Sequence, residues 1–222
     1  MSAAADVTER SSLDREWWLR TVTFLLRPRS VFEALRDDSA EAADARQEPM
    51  LAIIFLGGIA GLLATGAAGR LLDPPSAYDG LLIAIWAFIA GGIYGAASYF
   101  LGGAALYLGQ HGAGGSASYR QARHVLAFSA LPLIVWLVLV WPIRLALYGE
   151  DLFRSGGSDA GTDRIVFGAI SGLFVAWAIT LLAVGVRTVY RWDWRRCANA
   201  LAFTLVAFVA FAFAAAIILR GA

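Results

Sequence analysis

Residues 80–109 are 30 consecutive residues without a charged side chain. A helix of this length extends about 45 Å, because each residue adds about 1.5 Å. The hydrocarbon core of a bilayer is roughly 30 Å thick, so this helix is expected to tilt or to project beyond the membrane. The stretch therefore predicts a transmembrane helix and constrains how the rest of the chain folds.

Four further apolar runs lie beside this one, at about residues 50–69, 125–148, 165–186 and 197–219. Each reaches or nearly reaches the roughly 20 residues that a membrane span needs. Only 16% of the residues are charged, whereas soluble domains have about 25%. We therefore predict an all-α polytopic membrane protein, with a bundle of five transmembrane helices over residues 50–222.

Residues 1–49 are predicted to be a cytoplasmic N-terminal segment with two short amphipathic helices, at about 13–26 and 30–38. In the first helix Trp17 and Trp18 belong to one apolar stripe beside arginines. This pattern fits an interfacial helix at headgroup level, and equally a helix packed on the cytoplasmic end of the bundle.

The second short helix has a capping-box signature at its start. Ser30 and Glu33 have the S-x-x-E spacing that satisfies free backbone N–H groups at a helix N-terminus. The acidic, alanine-rich residues 39–48 that follow are predicted to be a linker.

The arginines predict the orientation, since the chain contains no lysine. With the N-terminus inside, residues 1–49 hold seven arginines, residues 110–124 hold two and residues 187–196 hold four, whereas the outer segments hold four in total. Cytoplasmic loops carry the excess of basic residues. We therefore predict a multi-pass protein of the cell membrane with a cytoplasmic N-terminus and an extracytoplasmic C-terminus.

The residue types needed for catalysis are scarce in the apolar runs. None of the five contains Asp or Glu, the two histidines are His111 and His124, and Cys197 is the single cysteine. Ser171 lies among glycines, but no histidine that could act as its base follows it. We predict no enzymatic activity, no catalytic residues, no cofactor and no metal site, and we identify no small-molecule substrate. A net charge of +1 gives no reason to expect nucleic-acid binding.

Small residues recur at four-residue spacing in three of the runs, in the pairs Gly57 and Gly61, Gly91 and Gly95, and Gly168 and Gly172. Such pairs let helix backbones approach closely. They predict contacts within the bundle or between copies, and contacts within the bundle are favoured because the spans must pack first.

The candidate contacts with lipid or a partner protein are aromatic rings, arginines near span ends and one proline: Trp17, Trp18, Arg120, Arg123, Pro132, Arg144, Arg187, Arg191 and Arg195. Arg144 is expected to extend to the outer surface and to pair with Glu150 or Asp151. Pro132 is interpreted as a shape feature that bends the third span.

Four elements occur in an order and spacing that resemble the YIP family, named for Ypt/Rab-interacting proteins, and especially its prokaryotic members. They are Pro28 with Phe32 and Leu35, the loop 114–121, Ser129 with Pro132, and Trp177 with Gly185. The resemblance implies a five-span bundle without known catalytic residues. The vesicle-traffic role of eukaryotic relatives with small GTPases is not expected here, because no GTPase contact motif is recognisable.

The leading functional prediction is a non-enzymatic scaffold or accessory subunit of a membrane complex. Its predicted partners are the lipid bilayer and either other membrane proteins or further copies of the chain. The alternative is a small transporter or lipid-handling, scramblase-like protein that uses Pro132 and the glycine-rich second span as a hinge.

Overall fold

The structure is a computed structural model that describes residues 16–73 and 79–221, with the backbone alone at residues 212 and 215–221. Within these ranges the regular elements are all helical. The all-α prediction is therefore confirmed for the described residues. Predictions that fall on residues 1–15 and 74–78 lie outside them.

The helices are numbered in chain order. They are α1 (residues 16–23), α2 (Pro28–Ala34), α3 (Ala40–Ala45), α4 (Gln47–Leu63), α5 (Gly80–Gly112), α6 (Tyr119–Ser129), α7 (Leu131–Tyr148), α8 (Thr162–Tyr190) and α9 (Trp194–Gly221). Two 3₁₀ turns, Ala68–Arg70 and Gly149–Phe153, follow α4 and α7.

Four helical segments in the described ranges are long and apolar enough to cross a membrane: Gly80–Gly112, Tyr119–Phe153, Thr162–Tyr190 and Trp194–Phe211. They coincide with the second to fifth predicted spans. The helix of the first predicted span, α4, is apolar but has only 17 residues. The count of five spans therefore stays a prediction.

The first span was predicted to extend to residue 69, but α4 ends at Leu63. The Thr65 hydroxyl donates to the carbonyl of Leu62 at 2.6 Å, and Gly66 follows in a turn. Hydroxyl side chains that bond to nearby backbone compete with the helix in this way. Apolar composition alone does not show this end, because residues 64–69 carry no charge.

The N-terminal helices differ from their prediction in two ways. The capping box at Ser30 is wrong: α2 begins at Pro28 without a side-chain cap, and the Ser30 hydroxyl donates to the Arg27 carbonyl at 2.8 Å. Proline is favoured in the first turn, since its missing N–H is not needed there. The predicted linker is also wrong, because it contains α3, whose start is capped by Ser39 accepting from the Ala42 N–H at 3.2 Å.

The third predicted span is two helices rather than one bent helix. The first, α6, ends at Ser129, and α7 begins at Leu131 with Pro132 in its first turn. A proline ring clashes with the carbonyl four residues earlier and disfavours helix before it. Pro142, by contrast, lies inside α7, which continues to Tyr148.

The chain forms two compact units. Of the described residues, unit 1 contains 16–52, 98–129 and 180–221. Its core is aromatic: the ring of Phe24 lies 5.2 Å from that of Phe32 and 5.8 Å from that of Phe128. Phe32 occupies the space beside Gly185, where an added Cβ would be 2.6 Å from the ring. Two of the elements that resemble the YIP family thus contact each other directly.

Unit 2 contains residues 53–97 and 130–179. Here α4 and α5 approach closely at Gly58, Gly91 and Gly95. A second cluster has Trp141 stacked on Phe153 with the ring centroids 5.8 Å apart. The Leu72 N–H donates to the Phe153 carbonyl at 2.9 Å, which holds the segment after α4 against the turn after α7.

Candidate functional site

The best-defined polar cluster of unit 1 is centred on Arg46, between α3 and α4. This side chain is only 1% exposed. Its Nε donates to Nδ1 of His124 at 3.0 Å, and its Nη1 donates to the Asp37 carbonyl at 2.9 Å. Its guanidinium also lies 5.6 Å from the centre of the Trp17 ring. Because Nδ1 of His124 accepts this bond, the imidazole is neutral with its proton on Nε2.

Asp38 connects this cluster to the start of α6. Its carboxylate lies 3.5 Å from Arg46 and 2.8 Å from Nε of Arg120, and it also accepts a short hydrogen bond from the Ser118 hydroxyl. Gln121 donates to the Leu35 carbonyl at 3.0 Å. The basic loop before α6 therefore binds the N-terminal segment directly.

Burial and the neighbouring charges shift the pKa values of Asp38 and Arg46. Burial raises the pKa of Asp38, but hydrogen bonds from Ser118 and Arg120, with the charges of Arg120 and Arg46, lower it overall below its usual value. Burial lowers the pKa of Arg46, while the charge of Asp38 opposes that shift. Asp38 is consequently ionised near neutral pH, and an arginine stays protonated there.

Arg123, one turn away on α6, is surrounded by aromatic rings. Its guanidinium lies 5.1 Å from the centre of the Tyr99 ring, 5.0 Å from that of Phe100 and 4.5 Å from that of Tyr119. Cation–π attraction of this kind contributes about 0.5–2 kcal/mol per contact, depending on desolvation. Arg123 therefore holds α5 and the start of α6 together.

The two tryptophans of α1 have different surroundings. Trp17 is buried, with its ring 6.0 Å from that of Phe128. Trp18 is 40% exposed, and its indole N–H lies 3.4 Å from the Glu48 carboxylate. Packing within unit 1 accounts for Trp17, whereas the lipid contact predicted for Trp18 stays a prediction.

The remaining candidate arginines of unit 1 lie at the end of α8, in the loop that follows it and at the start of α9. Arg187 lies over Trp194 at 4.6 Å from the ring centre, whereas Arg191 and Arg195 are exposed. Arg191 has a φ of 54°, in the left-handed region. Among the described residues, neither Arg191 nor Arg195 has an ion-pair partner.

Two arginines that the sequence analysis did not single out make more contacts within the chain than Arg191 and Arg195 do. Arg36 donates through Nε and Nη2 to the Thr188 carbonyl, at 3.1 and 2.7 Å. Arg196 donates to the carbonyl of Ala113 at 3.0 Å and stacks on Trp192. Arg36 binds near the C-terminal end of α8, where the helix dipole favours a cation. The sequence could not predict these contacts, because Arg36 and Thr188 are 152 residues apart and Arg196 and Ala113 are 83 residues apart.

In unit 2, Arg144 pairs with Asp159 at 3.3 Å. The predicted pairing with Glu150 or Asp151 is therefore wrong. The 3₁₀ turn Gly149–Phe153 intervenes, and Glu150 instead lies 3.7 Å from Arg154. Pro132 is buried at the start of α7, in keeping with its interpretation as a shape feature. Arg144 lines a cavity of about 520 Å³.

The long apolar helices make the chain a multi-pass integral membrane protein in contact with the lipid bilayer. The family model of the Yip1 domain matches residues 22–216, and the chain belongs to this family. The match includes the Arg46 cluster and all four elements that carried the resemblance. Comparison with curated proteins gives no match. Comparison with solved structures gives none either.

Proposed function

We propose that the protein is a non-enzymatic scaffold that associates with a second copy of itself in the cell membrane of a prokaryote. The observation that carries the proposal is the surface of the first part of α8. An ideal Cβ added at Gly168 or Gly172 would meet nothing within 4 Å. Ile165 and Leu173, on the same stretch of helix, are 72% and 71% exposed.

These glycines are costly unless another helix uses them. A glycine inside a helix is less favourable than alanine by about 1 kcal/mol. Small residues four apart allow close helix approach, which drives association in a membrane that lacks a hydrophobic force between helices. A symmetric dimer brings the same ridge from both copies together, and two-fold pairs are the commonest oligomers.

Replacing Gly172 with leucine should therefore weaken self-association about fivefold or more, corresponding to roughly 1 kcal/mol. The measurement is bismaleimide crosslinking in membranes, with Leu173→Cys as the reporter in a Cys197→Ser background. Gly57→Leu is the matched control, because a Cβ at Gly57 also meets open space. Equal crosslinking of the Gly172→Leu and control proteins, or no dimer in the parent, would contradict the proposal.

We further propose five spans with a cytoplasmic N-terminus, in which α4 is the first span. Support comes from the arginine distribution and from the apolar sequence of α4. Three spans would then separate Glu41 from Ser158, so cysteines at these positions should react from opposite sides. If α4 does not span, only two spans separate them and both react from the same side.

This topology is tested by labelling intact and permeabilised cells with a membrane-impermeant maleimide, again without Cys197. Ser158→Cys should react in intact cells, whereas Glu41→Cys and Arg191→Cys should react only after permeabilisation. Labelling of Glu41→Cys and Ser158→Cys from one side would remove α4 from the count of spans.

A small transporter or lipid-handling protein is the second candidate, and the arginine-lined cavity beside Arg144 favours it. Reconstituted protein that moves neither lipid nor solute faster than empty liposomes would eliminate this candidate.

A further inference from the structure

The cavity of unit 2 has a strong excess of positive charge. It lies among the end of α4, helix α7, the segments that follow them, and the first part of α8. Its charged lining residues are Arg70, Arg144, Arg154, Arg164 and Asp159. Four arginines and one aspartate thus line the cavity, and the carboxylate of Asp73, hydrogen-bonded to Ser155 of the lining, interacts with the charges of Arg70 and Arg154. The volume of about 520 Å³ is within the range of roughly 300–1,000 Å³ typical of small-molecule sites.

The single carboxylate of the lining is already shared. Asp159 is 5% exposed and lies 3.3 Å from both Arg144 and Arg164. Arg154 lies 3.7 Å from Glu150. Both side chains are on the surface, where ion pairs contribute little. The arginines of the cavity therefore keep donor capacity for an additional anion.

Three buried donors of the lining residues have no hydrogen-bond partner among the described residues: the indole Nε1 of Trp136, that of Trp141, and Nε of Arg144. Trp136 and Trp141 are only 4% and 7% exposed. An indole N–H can donate but not accept. Leaving such a group unsatisfied costs about 1–3 kcal/mol, which a ligand that supplies acceptor oxygens would offset.

We propose that this cavity binds a phosphate monoester or diester, with the phosphate between the arginines and its organic part against the indole rings. Guanidinium groups match phosphate oxygens in bidentate geometry, and the lining contains far more donors than anionic acceptors. The ligand is either the phosphate group of an anionic lipid or a free phosphate ester. Gly168 of α8 also lines this cavity, but the proposal does not require self-association and is tested separately from it.

Two arms distinguish these sources. In the first, glycerol 3-phosphate is titrated into the protein in detergent, and the rise in melting temperature reports binding to the folded state. In the second, native mass spectrometry compares retention of phosphatidylglycerol with that of phosphatidylcholine. A free ester as the ligand predicts a response in the first arm alone, and a lipid predicts selective retention of phosphatidylglycerol.

The double variant Arg154→Gln/Arg164→Gln tests the site without removing the buried Arg144, because both side chains are more than half exposed. It should weaken whichever interaction is found about tenfold and leave the melting temperature without ligand nearly unchanged. Arg29→Gln, on the exposed surface of α2, is the matched control.

Trp141→Phe gives a second readout, since it removes one indole N–H but keeps an aromatic ring. It should weaken binding several-fold. No response to either probe would overturn the proposal. So would equal binding by the parent and the double variant, because the anion would then bind elsewhere.

Discussion

Replacement of Arg46 by methionine is expected to lower the free energy of unfolding by about 3 kcal/mol, the scale seen when one partner of a buried ion pair is removed. Arg46 is 1% exposed and contacts Asp38, the Asp37 carbonyl and His124. Methionine keeps much of the volume but supplies no donor. His124 then loses the partner of its Nδ1, and Asp38 retains only Arg120 as a charged partner.

The measurement is equilibrium unfolding in mixed micelles, followed by tryptophan fluorescence. Arg29→Met is the control, because Arg29 is exposed and its replacement should change stability by less than about 0.5 kcal/mol. Adding His124→Leu to Arg46→Met should restore part of the loss, since the buried imidazole acceptor is then also gone. If Arg46→Met is as stable as Arg29→Met, the cluster does not hold the N-terminal segment.

Arg46 also marks the limit of what the sequence could predict. It lies in the stretch predicted to be a linker. In the sequence it counts only as one of the seven arginines that predict a cytoplasmic N-terminal segment. Its principal partner, His124, is 78 residues away. Charge patterns in one sequence show that arginines prefer one side of a membrane, but not which acid each of them contacts. Arg120, predicted as a contact for lipid or a partner, pairs with Asp38 within the chain, which the sequence did not predict.

Features that depend on composition over many residues were predictable. Long apolar runs identified four membrane helices, because spanning a bilayer requires both length and low charge. The YIP elements identified the family, and Phe32 and Gly185 contact each other in unit 1. The ends of individual helices were harder to predict from the sequence, because a single hydroxyl or proline residue determines where α4 and α6 end.

The glycine pattern shows the same limit within one helix. Gly91 and Gly95 were correctly placed at a close contact of α5. On α4 the sequence favoured Gly57 and Gly61. A Cβ at Gly61 would lie 2.5 Å from the Tyr94 ring of α5, but Gly58 rather than Gly57 is the residue in contact with Gly91 and Gly95. Adjacent helical residues point about 100° apart, so an error of one residue changes the contact face. With Gly57, Gly58 and Gly61 all present, spacing alone did not determine the face.

Gly58→Ala is therefore expected to destabilise unit 2 by about 2 kcal/mol or more, the scale of overpacking in a rigid core. Its added Cβ would lie 2.1 Å from the Gly91 carbonyl oxygen and 2.5 Å from Cα of Gly95. Both contacts are with backbone, so no side-chain rotation relieves them and the two helices must separate. Glycine, which has no Cβ, is the residue that permits such close backbone approach in membrane helices.

Gly57→Ala is the matched control, one residue away on the same helix. Its Cβ meets nothing within 4 Å, so the higher helix propensity of alanine should leave stability unchanged or raise it by up to about 1 kcal/mol. Unfolding in mixed micelles should thus separate the two variants by roughly 3 kcal/mol. Because both substitutions add the same methyl group to the same apolar helix, equal stabilities would mean that α4 does not pack on α5 through Gly58.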